Sequence, residues 1–244
     1  MGCCIYCKGN TSGVEAKAHA IPEALSQNSF VLPRGAVCDQ CNGYLAKLDK
    51  ALVLHKQIWL AIQVFALPGK SGNPRGELGW MKRPDLAHPN RITIEGRGKN
   101  LLFVEGNRVR IETTEAPGWD SKKFRRALHY VGLNYLALTV SPEFVLQSRF
   151  DEVRRYIRFP RKGETWPYGE IQRSRKLLQR IDFERVADAP GEVIAIGLFH
   201  WIFFVDLLGR QQFVEWLPRA VSGSTAGGRT TGSCGRTTGS GVFN

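Results

Sequence analysis

Two CxxC pairs with thirty residues between them constrain this chain more than any other feature. Cys4-Ile5-Tyr6-Cys7 and Cys38-Asp39-Gln40-Cys41 each place two thiols on one tight turn, and each is followed two residues later by a glycine, Gly9 and Gly43. Glycine lets the backbone curl so that amides point at sulfur. Two such knuckles supply four sulfurs, the complement of a closed, tetrahedral structural Zn2+ site. A structural zinc contributes on the order of 10 kcal/mol of apparent folding energy in small modules, so the N-terminal unit should unfold on chelation. Cys3 has the wrong spacing to Cys7 to replace Cys4, and Cys234 stands alone near the end. The opening MGCCIYCKG has neither a basic region nor an apolar core segment, which favours metal thiolates in a reducing, cytoplasmic compartment over a disulfide framework. The Gly2 lipidation pattern is set aside because Tyr6 stands where it needs Ser or Thr.

The rest of the chain divides by composition and periodicity. Residues 1–67 are expected to form the zinc module and residues 68–80, rich in Pro and Gly, a linker. Residues 81–221 are expected to form a mixed domain. The Gly/Ser/Thr-rich residues 222–244, which repeat GRTTGS, are expected to be a disordered tail. Tyr44, Leu45, Leu48, Leu52, Ile58 and Ile62 recur at helical spacing and predict one helix from about Gly43 to Leu67. Alternation over 91–95, 101–104 and 109–113 predicts a small antiparallel meander. A helix capped by Asp120 or Ser121 should stop near Ser141-Pro142, and a second should run from Pro142 to about Ile157. Residues 161–185 read as basic and irregular, and Val193–Phe199 and Trp201–Leu207 as two final strands or one bent strand. The class is α+β.

Between the knuckles lies Ala18-His19-Ala20-Ile21-Pro22-Glu23-Ala24-Leu25; Asn42 follows Cys41 directly, and Asp49 comes later on the predicted helix. With Cys4/Cys7, His19, Pro22, Leu25, Cys38/Cys41, Asn42 and Asp49 in this order, residues 3–60 resemble the zinc-containing HNH endonuclease family. That resemblance implies a ββα-metal module. His19 would be a general base that activates water against a DNA phosphodiester, and Asn42 would hold the His19 loop. Asp49 would bind a catalytic Mg2+ or Mn2+. Ala18 departs from the family pattern, which usually has a metal-binding acid or His there. The alternative is therefore a degenerate, zinc-stabilised DNA-binding protein, with Glu15 or His55 as the residues that could compensate.

Charge points the same way. Thirty-four Lys+Arg against twenty-two Asp+Glu give +12, a surplus that favours a polyanion. Lys122, Lys123, Arg125, Arg126, Arg154, Arg155 and Arg158 lie in the most basic stretch and are the candidate phosphate contacts; the last three are spaced to share a helix face. The competing reading is a solvated helix surface. DNA is the expected partner, with no small-molecule cofactor: Gly69-Lys70-Ser71 lacks the glycine of a P-loop, since Val64 occupies that position. No membrane span is expected, because the longest apolar run, Val193–Leu208, is short and contains His200 and Asp206.

Overall fold

The structure, a computed structural model, describes residues 2–14, 16–26, 29–64, 67, 118–174, 179–209 and 211–225, together with short strands at 81–82, 93–94, 101–105 and 108–112. The expectations for Glu15, for the linker at 68–80, for Cys234 and for residues beyond 225 lie outside this set.

After the first knuckle the chain forms a minimal hairpin. The amide of Ala20 donates to the Phe30 carbonyl and that of Leu32 to Ala18, each at 2.8 Å, with His19 opposite Val31. Ala18 and Ala20 are buried, while His19 projects from the other side of the strand and is half-buried. Helix α1 (Glu23–Ser26) sits in the hairpin loop, and α2 (Asp39–Val53) follows. Helix α2 begins four residues before the predicted start because Cys38 is its N-cap, the sulfur accepting the Cys41 amide at 3.4 Å. It buries Cys41, Leu45, Leu48 and Leu52, the spacing that the sequence showed.

The single helix expected over 43–67 is instead two. Helix α2 ends at Val53 with Leu54 as its C-cap, and α3 (Lys56–Val64) restarts on the His55 carbonyl, which accepts the Trp59 amide at 2.8 Å. The break turns His55 into an aromatic cluster. Its ring stacks on Phe124 at 4.3 Å between centroids, with Phe203 edge-on at 5.6 Å.

The meander is also different. Strand β1 (Met81–Lys82) pairs with β2 (Thr93–Ile94), and β3 (Leu101–Glu105) pairs with β4 (Arg108–Glu112). Among the described residues these are two separate antiparallel ladders.

Helix α4 (Ser121–Thr139) is the organising element. Asp120 caps it, accepting the Lys122 and Lys123 amides at 3.0 Å. The second predicted helix breaks into α5 (Pro142–Val145), a 3-10 turn and α6 (Asp151–Arg158). The physical reason is Arg154, whose guanidinium occupies the carbonyls of Val145, Leu146 and Gln147 that the break leaves open. The principal sheet is antiparallel and has four strands, in order β5 (Tyr168–Gln172), β8 (Trp201–Asp206), β7 (Val193–Leu198), β6 (Ile181–Arg185). Of the two readings of the final apolar run, the structure has two strands, the antiparallel β7–β8 hairpin. Strands β5 and β6 replace the irregular structure expected for 161–185.

Helix α4 lies on one face of this sheet at Gly132, where a Cβ would meet Val205 at 3.1 Å and Leu207 at 3.3 Å. Helix α7 (Gln211–Thr225), which sequence reading did not assign, covers the other face, with Trp216 against Phe204 and Leu217 against Gly169. Strand β7, between β6 and β8 and under α4, is buried at every residue. Helix α2 packs along α4, so one hydrophobic core runs from Ile5 and Leu48 through Leu128 and Val131 to Ile194 and Phe203. The result is a mixed helix-and-antiparallel-sheet protein with a cysteine cluster at its N-terminal end. Among the described residues, no helix is long and apolar enough to cross a membrane.

Candidate metal centre

The two knuckles meet. The sulfurs of Cys4, Cys7, Cys38 and Cys41 all lie within 4.8 Å of one another. Cys7 and Cys38 are 3.7 Å apart, near the roughly 3.8 Å that a tetrahedron of Zn–S bonds of about 2.3 Å imposes, and far beyond the ~2.05 Å of a disulfide. The donor set and spacing therefore fit a metal ion such as zinc. Cys3 is exposed and pairs through its backbone with Asn10, outside the cluster.

Local geometry differs between the knuckles. In the first, Lys8 rather than Gly9 takes the left-handed conformation, with φ 58°. Gly9 matters by proximity, since a Cβ there would lie 3.3 Å from the Cys7 sulfur. In the second, Gly43 sits inside α2, and a Cβ added to it would have no neighbour within 4 Å, so the helix start, not the glycine, aims amides at sulfur. The Cys38 amide donates to Cys4 at 3.4 Å. A hydrogen bond with Cys41 holds the Cys4 thiol down to about 4; the amides of Cys7, Cys38 and Tyr6 add to it against the cost of burial. The same proton sharing with Cys4 raises Cys41.

The HNH-like residues are placed as follows. His19 stands mid-strand with Nδ1 lacking a hydrogen-bond partner. Asn42 lies in the first turn of α2, past the cap position, and its amide donates to the Cys38 carbonyl at 2.9 Å. Among the described residues no hydrogen bond joins Asn42 to the His19 strand. That strand is held by Asn134 of α4, whose Nδ2 donates to the carbonyls of His19 at 3.2 Å and Ala20 at 3.4 Å. The Asn134 Oδ1 accepts the Tyr6 hydroxyl at 2.6 Å, which ties the first knuckle to the same helix. Asp49 accepts a hydrogen bond from Tyr130. Ala18 is buried, and His55 is taken up by aromatic packing. Among the described residues the cysteine tetrad is the one cluster of three or more candidate ligands, so Asp49, Ala18 and His55 do not assemble a second metal site.

The basic residues split into two groups. Lys122 and Lys123 are exposed at the start of α4, with Lys123 3.4 Å from Asp120, and Arg125 lies over the Tyr168 ring. Arg155 is clamped between Glu152 and Glu164, and its hydrogen bonds hold the Glu164 carboxyl down to about 2. Arg126, Arg154 and Arg158 turn inward. Arg126 reaches the Ile157 carbonyl at 3.0 Å and the Tyr44 hydroxyl. Arg154 is 3% exposed. Arg158 donates to the Cys41 sulfur. Arg154 and Arg158 do share a helix face, as their spacing predicted, but it is the buried face, because the carbonyls and the sulfur that need donors lie there.

Sequence reasoning missed Asn134, Tyr130 and Tyr6. Their signal was a lone Asn within the apolar run of α4 and a Tyr inside the first knuckle, groups that need partners once buried. The chain matches no protein-family model, no curated protein and no solved structure.

Proposed function

We propose that this protein is a zinc-stapled, HNH-type endonuclease that hydrolyses DNA phosphodiester bonds with His19 as general base. The observation that carries the reading is the order hairpin, knuckle, helix: His19 projects from the first hairpin strand with an unpartnered Nδ1, and a Cys-capped helix bearing Asn42 and Asp49 follows. Zinc at Cys4, Cys7, Cys38 and Cys41 would act structurally and fix the hairpin against α2. The His19 imidazole would take a proton from water as the water oxygen attacks phosphorus, and the bond to the leaving oxygen would break. The net charge of +12, with Lys122, Lys123 and Arg125 on the surface side of α4, supports a polyanionic substrate. The residues present do not fit a catalytic Mg2+ or Mn2+ at Asp49: its carboxylate is bonded to Tyr130 and Ala18 offers no ligand. The proton transfer therefore rests on His19 alone.

That same pair of observations favours a second reading, a DNA-binding protein with a degenerate catalytic centre. Nicking of supercoiled plasmid separates the two. The nuclease reading expects cleavage by the wild type, with or without added Mg2+ or Mn2+, and a loss of about 100-fold or more in His19→Ala with binding retained. Binding without cleavage under every metal condition selects the second reading. Absence of both binding and cleavage overturns both.

A further inference from the structure

Arg158 ends α6 and is 8% exposed. Its guanidinium lies over the Tyr44 ring at 4.8 Å and the Phe159 ring at 5.0 Å, donates through Nη1 to the Cys41 sulfur, and has a buried Nε without a partner. Guanidinium stays charged in any protein environment, and a buried charge needs a counter-charge. Arg154 and Arg155 on the same helix have carboxylates, Asp151 for one and Glu152 with Glu164 for the other. Among the described residues no carboxylate pairs with Arg158; the group it meets is a cysteine sulfur.

The tetrad needs a cation as much as Arg158 needs an anion. Four thiolates around a divalent ion leave a double negative charge. The backbone amides of Cys38 and Cys41, which donate to the Cys4 and Cys38 sulfurs, supply neutral dipoles only. Lys8, on the first knuckle, pairs with Asp151 at 2.7 Å instead of facing sulfur. Tyr44, three residues after Cys41, fixes the plane of Arg158 from the α2 side, and Arg126 in turn holds the Tyr44 hydroxyl.

We infer that Arg158 is the counter-cation of the metal centre, a positioning residue from the opposite half of the chain that holds the thiolate cage closed on its ion without ligating it. The inference rests on the tetrad binding metal and is independent of nuclease activity. Metal retention then depends on how α6 is seated, 117 residues from the nearest sulfur it serves.

The test is zinc transfer from the purified, zinc-loaded protein to excess chromophoric chelator, well below the unfolding temperature. Arg158→Gln is expected to lose zinc about 10- to 100-fold faster than the wild type. Arg154→Gln, an equally buried arginine on the same helix that does not touch sulfur, is expected to lose it at the wild-type rate. Equal rates for Arg158→Gln and wild type overturn the inference, as does equal acceleration by Arg154→Gln, which would reveal general loosening. If Arg158→Gln does not fold, Arg158→Met, which keeps an apolar stem and removes the charge without burying a new polar group, carries the same contrast: faster loss than Arg154→Gln supports the inference and wild-type retention overturns it. Elemental analysis of the wild type separates these outcomes from failure of the metal centre itself, which a zinc-free protein would reveal.

Discussion

The hydroxyl of Tyr130 donates to the carboxylate of Asp49 and so fastens α4 to α2 across the core. Burial, with the Asp49 charge adding to it, holds the Tyr130 phenol well above its ordinary range, so it remains a donor. Asp49 is therefore a structural partner whatever else it does. Asp49→Ala strands a buried hydroxyl and should cost about 1–3 kcal/mol in urea unfolding, whereas Asp49→Asn keeps an acceptor and should cost less. Unchanged stability in Asp49→Ala would return the residue to a purely functional role.

Metal removal should act on the whole chain. The sulfurs border the same core that α4 and the sheet share, and Tyr6 and Lys8 tie the first knuckle to Asn134 and Asp151. Chelation or Cys38→Ser should shift a single cooperative transition by many degrees, given a site worth on the order of 10 kcal/mol. Calorimetry showing an unchanged main transition would separate the knuckles from the core energetically.

Acid should destabilise the fold through buried histidines. His129 donates through Nδ1 to the Arg125 carbonyl at 2.7 Å, its buried Nε2 has no partner, and its ring stands nearly perpendicular to Tyr156 and Trp166, so the ring is neutral. Burial lowers its pKa to about 4, and that of His55 likewise to about 4. Both values fall below the unfolded one, so the unfolded chain binds more protons in between. The stabilisation is full above about pH 6.5 and is lost as pH falls toward 4, each group contributing about 1.4 kcal/mol per pH unit. Unfolding free energies measured from pH 7.5 to 5 should slope accordingly, and His129→Phe should flatten that slope. An unchanged slope in the variant would assign the acid sensitivity to the thiolates.

Salt dependence should divide the arginines and lysines. Lys122→Glu with Lys123→Glu should weaken DNA binding and reduce the slope of log affinity against log salt by about 1 for each phosphate no longer neutralised. Arg154→Ala should leave that slope alone and cost about 1–3 kcal/mol of stability, since it abandons three carbonyls and Asp151. A reduced salt slope in Arg154→Ala would show that it reaches the nucleic acid.

What was legible in the sequence is what local chemistry decides. The CxxC pairs announced their cluster, Asp120 announced the start of α4, and the apolar run at 193–207 announced the β7–β8 hairpin. What was not legible depends on partners distant in sequence. The break at His55 answers to Phe124 and Phe203, and the break after α5 answers to Arg154. Strands β5 and β6 are the sheet edges; Ile181-Asp182-Phe183-Glu184 does alternate, but each strand is only five residues long within a basic stretch, and their place is set by pairing with β8 and β7. Asn42 was the obvious amide to hold the His19 strand, yet Asn134 does so, and only the pairing of α2 with α4 brings it there.

Cys38 both caps α2 and belongs to the tetrad, so all four sulfurs and the start of that helix are in place once the chain has been made as far as residue 41. The apolar stripe of α2 finds its cover on α4 only after residue 139 has emerged, about 5–20 s later at ordinary translation speeds. During that interval the nascent chain carries all four thiols, without Arg158, beside an uncovered Leu45–Leu52 stripe. Ribosome-bound intermediates should therefore hold metal while still recruiting chaperones.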